Sequence, residues 1–257
     1  MNLSSEKYRW EDTSKNFKSQ LASMLGDVFL SSAFLAYIGF FDHYYRKLLS
    51  GVWKNNLEAS KIKYRHELAI IEFLSNPSER LIWRSHKLPS DDLCTENAII
   101  MKRYHKYPLI IDPSGQAIEY LTSLLSEKQF ILSSFADDAF LKNLEKSIRF
   151  GRPLIVQDVE KIEPILNSVL NKEIYKTGGM TLIRVGDQEI DFNANFSMFM
   201  ITRNSNAKFT PDLCSRVTFV NFTITPSSLE DQCLNIFLKN ERPDVEEKRL
   251  SLMKIQG

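Results

Sequence analysis

Tyr107-Pro108-Leu109-Ile110-Ile111-Asp112-Pro113-Ser114-Gly115-Gln116-Ala117 is the stretch whose reading decides the fold. An apolar run ends in a glycine-containing turn, and an amphipathic stretch, Gln116–Leu125, follows. This is a strand–turn–helix unit, the layout in which phosphate-binding loops present backbone amides at a helix N-terminus. A working loop reads G-x-x-x-x-G-K-[ST]. Here Asp112-Pro113-Ser114-Gly115-Gln116 offers one glycine, no lysine and a proline in the turn. The expectation is a nucleotide-binding type of fold with a degenerate pocket.

The same texture continues downstream. Short apolar runs fall at Leu109–Asp112, Phe130–Ser133, Leu154–Gln157, Met198–Thr202 and Val217–Asn221. Helical patterns lie between them: Gln116–Leu125, then Asp138–Phe150, with Leu141, Leu144 and Ile148 on one face and Gly151 as C-cap, then Glu163–Tyr175. Strands that alternate with helices of ten or so residues imply βαβ units, a parallel sheet and right-handed crossovers. The predicted fold class is α/β: a three-layer αβα domain on a five-stranded parallel sheet, preceded by a helical segment. One hairpin interrupts the alternation, Thr181–Val185 and Gln188–Phe192, with Gly186-Asp187 supplying the positive φ of a tight turn. Further on, Thr225-Pro226 starts a helix, Ser227 and Glu230 offer a capping box, and Leu229, Cys233 and Phe237 give an apolar face. Arg242-Pro243 ends it, and a charged helix begins at Asp244.

Upstream, Leu3, Trp10, Phe17 and Met24 recur every seven residues, as in a helix packed on one long partner. The second stripe, Lys7, Ser14 and Leu21, is mostly polar, so an ordinary amphipathic helix end fits as well. Val28–Phe41 is the most apolar run and is expected to be a buried helix, being shorter than the ~20 residues that span a bilayer. Residues 27–75 read as two or three helices, with breaks at Gly51 and Asn55-Asn56. Pro77 disfavours helix at Asn76 and puts a domain boundary near 76. Ser90-Asp91-Asp92 starts a helix that runs to about Tyr104. Both ends of the chain read as cut from something longer.

Composition narrows the function. The 33 Lys+Arg balance 32 Asp+Glu, leaving +1, so no strong field favours nucleic acid or an anionic membrane. Three cysteines, Cys94, Cys214 and Cys233, without C-x-x-C spacing, point to a reducing compartment. Four scattered histidines offer no H-x-x-x-H pair, and no metal site is expected.

A P-loop ATPase needs a phosphate-holding lysine, a magnesium-binding aspartate at a strand end, and an adjacent acid that activates water. None of the nine glycines is followed by lysine. Asp158 ends a strand, but Val159 stands where the second acid belongs, and Glu160 is one residue too far on. Asp158 is therefore read as a structural acid capping the following turn rather than a magnesium ligand. Asn204, after Met198–Thr202, sits where such folds place a phosphate-sensing group, and is equally a turn asparagine. Arg216, in Pro211–Val217 just before the fifth strand, fits two readings. One is a guanidinium offered to a neighbouring module's phosphate; the other is a surface salt bridge.

WRSHKLPSDDLCTENAIIMKRYHKYPLIIDPSGQA (83–117), IRFGRPLIVQDVE (148–160), LIRVGDQEIDF (182–192), PDLCSRVTFVNFTITPSSLEDQCLN (211–235), ERPDVEEKR (241–249) and GDVFLSSAFLAYIGFFD (26–42) together resemble the dynein heavy chains, most closely the cytoplasmic ones. The resemblance covers essentially the whole chain and falls on the fifth AAA+ module. It implies a microtubule minus-end-directed motor with six unequal AAA+ modules in one ring. Residues 1–26 would be the base of a stalk helix and 27–76 helices closing the fourth module. Residues 77–240 would be the large αβ part of the fifth module, and 241–257 the start of its next helix. This module is then not expected to bind nucleotide; ATP or ADP and Mg would sit in neighbouring modules. Asp112, Pro113, Ser114, Gly115, Gln116, Asp158 and Asn204 would be vestigial, and Arg216 would serve the fourth module's nucleotide. Implied partners are the neighbouring modules, the stalk and its buttress, and, through the full-length protein, microtubules and dynein accessory chains. Nucleic acid and membrane are not expected, and the setting is cytoplasmic and cytoskeletal. Two other readings compete: a self-contained AAA+ ATPase with an unusual phosphate loop, and a purely helical adaptor or coiled-coil scaffold.

Overall fold

Five of the short apolar runs pair as strands. In the computed structural model these are β1 (Pro108–Ile111), β2 (Ile131–Ser134), β3 (Leu154–Gln157), β7 (Met198–Thr202) and β8 (Thr218–Asn221). They form one all-parallel sheet in the order β2-β3-β7-β1-β8. Pro108 opens β1, a position where its missing N–H costs the ladder little. The structure describes Trp10, Leu21, residues 23–224 and 226–242, and Asp244, Val245 and Lys248. The chain divides into two compact units, Met1–Leu74 and Ser75–Gly257.

Strand order and handedness assign the layers of the second unit. The helices are α4 (Pro77–Ser85), α5 (Asp92–Arg103), α6 (Gln116–Leu124), α7 (Phe140–Phe150), α8 (Asn167–Leu170), α9 (Pro211–Arg216) and α10 (Pro226–Glu241). From β1 the chain crosses to the far edge at β2 and then steps back through β3 and β7 to β8. Right-handed crossovers then put α6 on one face and α7, α8 and α9 on the other. The burial pattern agrees with this. Leu109, Leu154, Val156, Met198 and Met200 join Leu144 and Ile148 of α7, Val169 of α8 and Leu213 of α9 in one cluster. Ile110, Ile155 and Ile201 alternate to the opposite face and are also buried. Asp91 caps α5, accepting from the Cys94 amide at 3.4 Å. Asn97 ties α5 to β8 through the Asn221 carbonyl at 2.8 Å.

A second sheet of three antiparallel strands interrupts the alternation: β4 (Ile174–Thr177), β5 (Met180–Val185) and β6 (Gln188–Asp191). The hairpin turn at Gly186 has φ +61, as its Gly-Asp sequence requires. β4 corrects the expected helix Glu163–Tyr175, which ends at Leu170. Lys172 turns into the left-handed region at φ 53, and Ile174-Tyr175-Lys176-Thr177, aromatic and β-branched, pairs with β5. Ile183, Val185 and Ile190 pack the small sheet into the same cluster as Leu166 and Val169.

The first unit holds a helix over residues 23–37 (α1), α2 (His43–Ala59) and α3 (Ile70–Leu74). Leu30, Phe34 and Ile38 form the buried stripe, while Phe29, Tyr37 and Phe40 are exposed. The apolar run is thus one-sided rather than a helix buried all round. Residues 23–40 are long and apolar enough, by length and composition alone, to cross a membrane, with mean hydropathy 1.4. Close packing, though, already engages one side. A Cβ on Gly26 would lie 2.4 Å from the Lys63 carbonyl oxygen. Next to it the buried Asp27 carboxylate accepts from the Arg65 amide at 2.9 Å and its Nε at 2.7 Å.

Three more expectations are corrected. α2 runs unbroken through Gly51 and Asn55-Asn56. A glycine costs a helix only about 1 kcal/mol, and the Asp42 carboxylate caps this one. Its end comes where Lys61 takes φ 57. On α7, Leu141 is 49% exposed and Phe140 is buried, so the core stripe is Phe140, Leu144 and Ile148. Leu229, Cys233 and Phe237 of α10 are exposed rather than packed. The Thr225 cap, the Ser227 side chain, Leu3 and Phe17 lie outside the described residues; Trp10 and Met24 are exposed. The corrected α7 stripe predicts that Phe140→Ala costs about 3–5 kcal/mol in urea unfolding, against under ~1 kcal/mol for Leu141→Ala. Equal costs would restore the original face.

Candidate functional site: a closed phosphate-loop turn and an edge arginine

Three of the expected positions meet at one end of the sheet. Asp112, Asp158 and Asn204 follow β1, β3 and β7, which are neighbours, and the strands are parallel, so all three lie at the carboxyl edge. That is where ligands bind in open α/β sheets. Arg216 precedes β8 and lies at the opposite edge.

Asp112 closes the turn from inside. It is fully buried, and its amide continues the ladder by donating to the Thr202 carbonyl at 2.8 Å. Its carboxylate accepts from the Ile118 amide at 3.1 Å and the Ser114 hydroxyl at 3.3 Å. The amides of Gly115 and Ala117 also hydrogen-bond to it. Gly115, at φ 80 and ψ 10, makes the left-handed step that folds these donors back over the carboxylate. Such amides at the head of a helix are the ones a bound phosphate would take. Here an internal anion takes them. Gln116 stands where the loop lysine would be and is itself buried.

The other two positions are turned to different work. Asp158 adopts φ 54 and points its carboxylate at Arg203, with Oδ1 3.1 Å from Nε and Oδ2 3.2 Å from the terminal nitrogen. This corrects the expected capping role: the following turn is closed by the backbone, Glu160 N–H to the Asp158 carbonyl at 3.1 Å. Val159 is fully buried, its amide donating to Ile201. Asn204 forms an Asx turn, its Oδ1 accepting from the Asn206 amide at 3.0 Å. Among the described residues no group of three or more His, Cys, Asp and Glu could hold a metal ion.

Arg216 is the last residue of α9, whose N-terminus is capped by the Thr210 hydroxyl. Its guanidinium donates to Asp212 Oδ1 from Nε at 3.2 Å and from a terminal nitrogen at 2.8 Å. The arginine side chain is 21% exposed and the aspartate 64%. An i,i+4 pair of this sort is worth about 0.3–0.5 kcal/mol.

Residues 81–257 match the family described as the ATP-binding dynein motor region, and residues 1–57 match the microtubule-binding stalk of the dynein motor. The chain belongs to the dynein heavy chain family. It is 62% identical over 256 residues to the cytoplasmic dynein heavy chain of Paramecium tetraurelia and 57% to that of Dictyostelium discoideum. Identity to axonemal dynein heavy chain 2 of Mus musculus is 35% over 253 residues. These alignments cover 98–100% of the chain but 5–6% of the relatives' own length, so the chain spans about one-twentieth of each. Within this dynein region, the roles of Asp112, Arg203 and Asp212 escaped sequence reading. The Asp212-to-Arg216 spacing of four was the one local signal for any of them.

Burial raises the Asp112 pKa above its ordinary 3.8 against the pull of the surrounding donors. The folded chain therefore binds a proton here that the unfolded chain has already released. This group's contribution to stability falls as pH rises from 3.8 through the folded pKa and is constant above. Asp112→Ala removes that dependence and strands buried amides at about 1–3 kcal/mol. In urea titrations at stepped pH, the gap between the two proteins should widen on acidification towards 3.8; a gap independent of pH would refute the assignment.

Proposed function

We propose that this chain is a non-catalytic AAA+ module of a dynein motor ring, the fifth, that passes shape changes between the ring and the stalk during ATP-driven, minus-end-directed movement on microtubules. The observation that carries it is the Asp112 carboxylate held by the turn's own amides. With no lysine in the turn and Val159 after Asp158, residues that would hold a nucleotide's phosphates and activate water are missing. We read residues 1–26 as the stalk base and 27–76 as helices that close the fourth module; the stalk match over 1–57 runs through both. Residues 77–240 are the large αβ part of the fifth module, and 241–257 lead on from it.

On this reading ATP or ADP and Mg belong to neighbouring modules. Arg216 offers its guanidinium to the fourth module's nucleotide, exchanging Asp212 for phosphate. The partners are adjacent modules, stalk and buttress, and, through the whole heavy chain, the microtubule and dynein accessory chains in the cytoplasm. Rigid-body movement of packed modules is the means of transmission. Exposed Tyr44, Tyr45, Leu48 and Val52 on α2, and Ile236 and Phe237 on α10, offer apolar surface for such neighbours.

Titrating the chain with ATP and Mg is expected to show no binding at micromolar nucleotide. Micromolar affinity with turnover would make it a self-contained ATPase instead. In the full motor, Arg216→Ala is expected to slow hydrolysis or weaken nucleotide binding at the fourth module by roughly tenfold or more. Unchanged kinetics there would leave Arg216 a surface salt bridge.

A further inference from the structure

We infer that Lys106 is a positioning residue for Arg216, holding the last turn of α9 so that the guanidinium is presented from a fixed place. The inference rests on the reading of Arg216 given above. The Lys106 Nζ donates to the Ser215 carbonyl at 2.5 Å across 109 residues of chain. α9 has six residues, so its carbonyls near the C-terminus run out of amides in their own helix. A cation at that end supplies the missing donor and complements the helix dipole.

The base of this clamp is itself fixed. Tyr107, next in the chain, is buried, and its carbonyl accepts from the Thr218 amide at 3.1 Å. Pro108 then pairs with Thr218. Lys172 donates to the His105 carbonyl and lies over the Tyr107 ring, 4.7 Å from its centroid. The segment before β1 is thus held from the sheet and from the turn after α8, and Lys106 extends that rigidity to the residue preceding Arg216. Asp212 restrains the guanidinium from within α9. Lys106 restrains the backbone that carries it. The pair leaves the arginine one side-chain contact to exchange and one tie on the backbone that carries it.

The test uses a full-length dynein heavy chain bearing Lys106→Met, Lys106→Arg, Arg216→Ala and the Lys106→Met/Arg216→Ala double change. The readouts are exchange of a fluorescent ATP analogue and hydrolysis at the preceding module, with melting temperature alongside. Lys106→Met is expected to slow the preceding module's kinetics roughly threefold to thirtyfold, with no further loss in the Arg216→Ala background. Lys106→Arg should restore most of the rate. A lowered melting temperature with unchanged kinetics would make Lys106 a helix cap alone and overturn the inference while leaving Arg216 its role. Additive losses in the double variant would overturn it too. Should Arg216→Ala itself leave those kinetics untouched, both the arginine's role and its positioning fall together.

Discussion

A carboxylate buried at the end of the central strand has to find donors, and in this chain it finds them in the one place where a nucleotide would look for them. Asp112 sits at the end of β1, between its pairings with β7 and β8. An unsatisfied carboxylate there would cost several kcal/mol. The turn that follows satisfies it with amides and a hydroxyl. The same contacts fix the direction in which α6 leaves the sheet. Shape and satisfaction are therefore one constraint: the strand–turn–helix geometry is the one that brings the turn's donors to this carboxylate.

Much of this was legible in the sequence where the signal was local. The five apolar runs, the Gly186-Asp187 hairpin, the Gly151 helix end and the turn at Asp112–Gln116 each carry their cause within a few residues. The failures are equally physical. Ile165, Leu166, Val169 and Leu170 are spaced for a helix, and nothing nearby says that the periodicity stops before Ile174; pairing with β5 decides it. Phe140 and Leu141 are adjacent apolar residues, and packing on Phe135 and the core cluster chose Phe140. Gly51 and the asparagines that follow were read as breaks, yet a well-capped exposed helix absorbs them.

At the candidate site the division is sharper. The lack of a lysine and the valine after Asp158 are visible residue by residue. What the turn's amides hold is not. Asp112 ends an apolar run like any strand-terminal acid, and its burial and donors appear only once β7 and β8 flank it. Asp158 was read as a cap, but φ 54 swings its carboxylate to Arg203, 45 residues away. Contacts of that sequence separation leave no trace in spacing.

The two edges of the sheet then differ in kind. At the carboxyl edge Asp112 is taken up by its own turn, while Asp158 meets Arg203 in an exposed surface pair. At the amino edge the arginine is held by a weak, exposed pair on a short helix whose end is pinned to the sheet. A rigid mount with a cheaply exchanged side-chain partner is what a group acting on a neighbour requires, since the cost of leaving Asp212 is small and the geometry after leaving is preset.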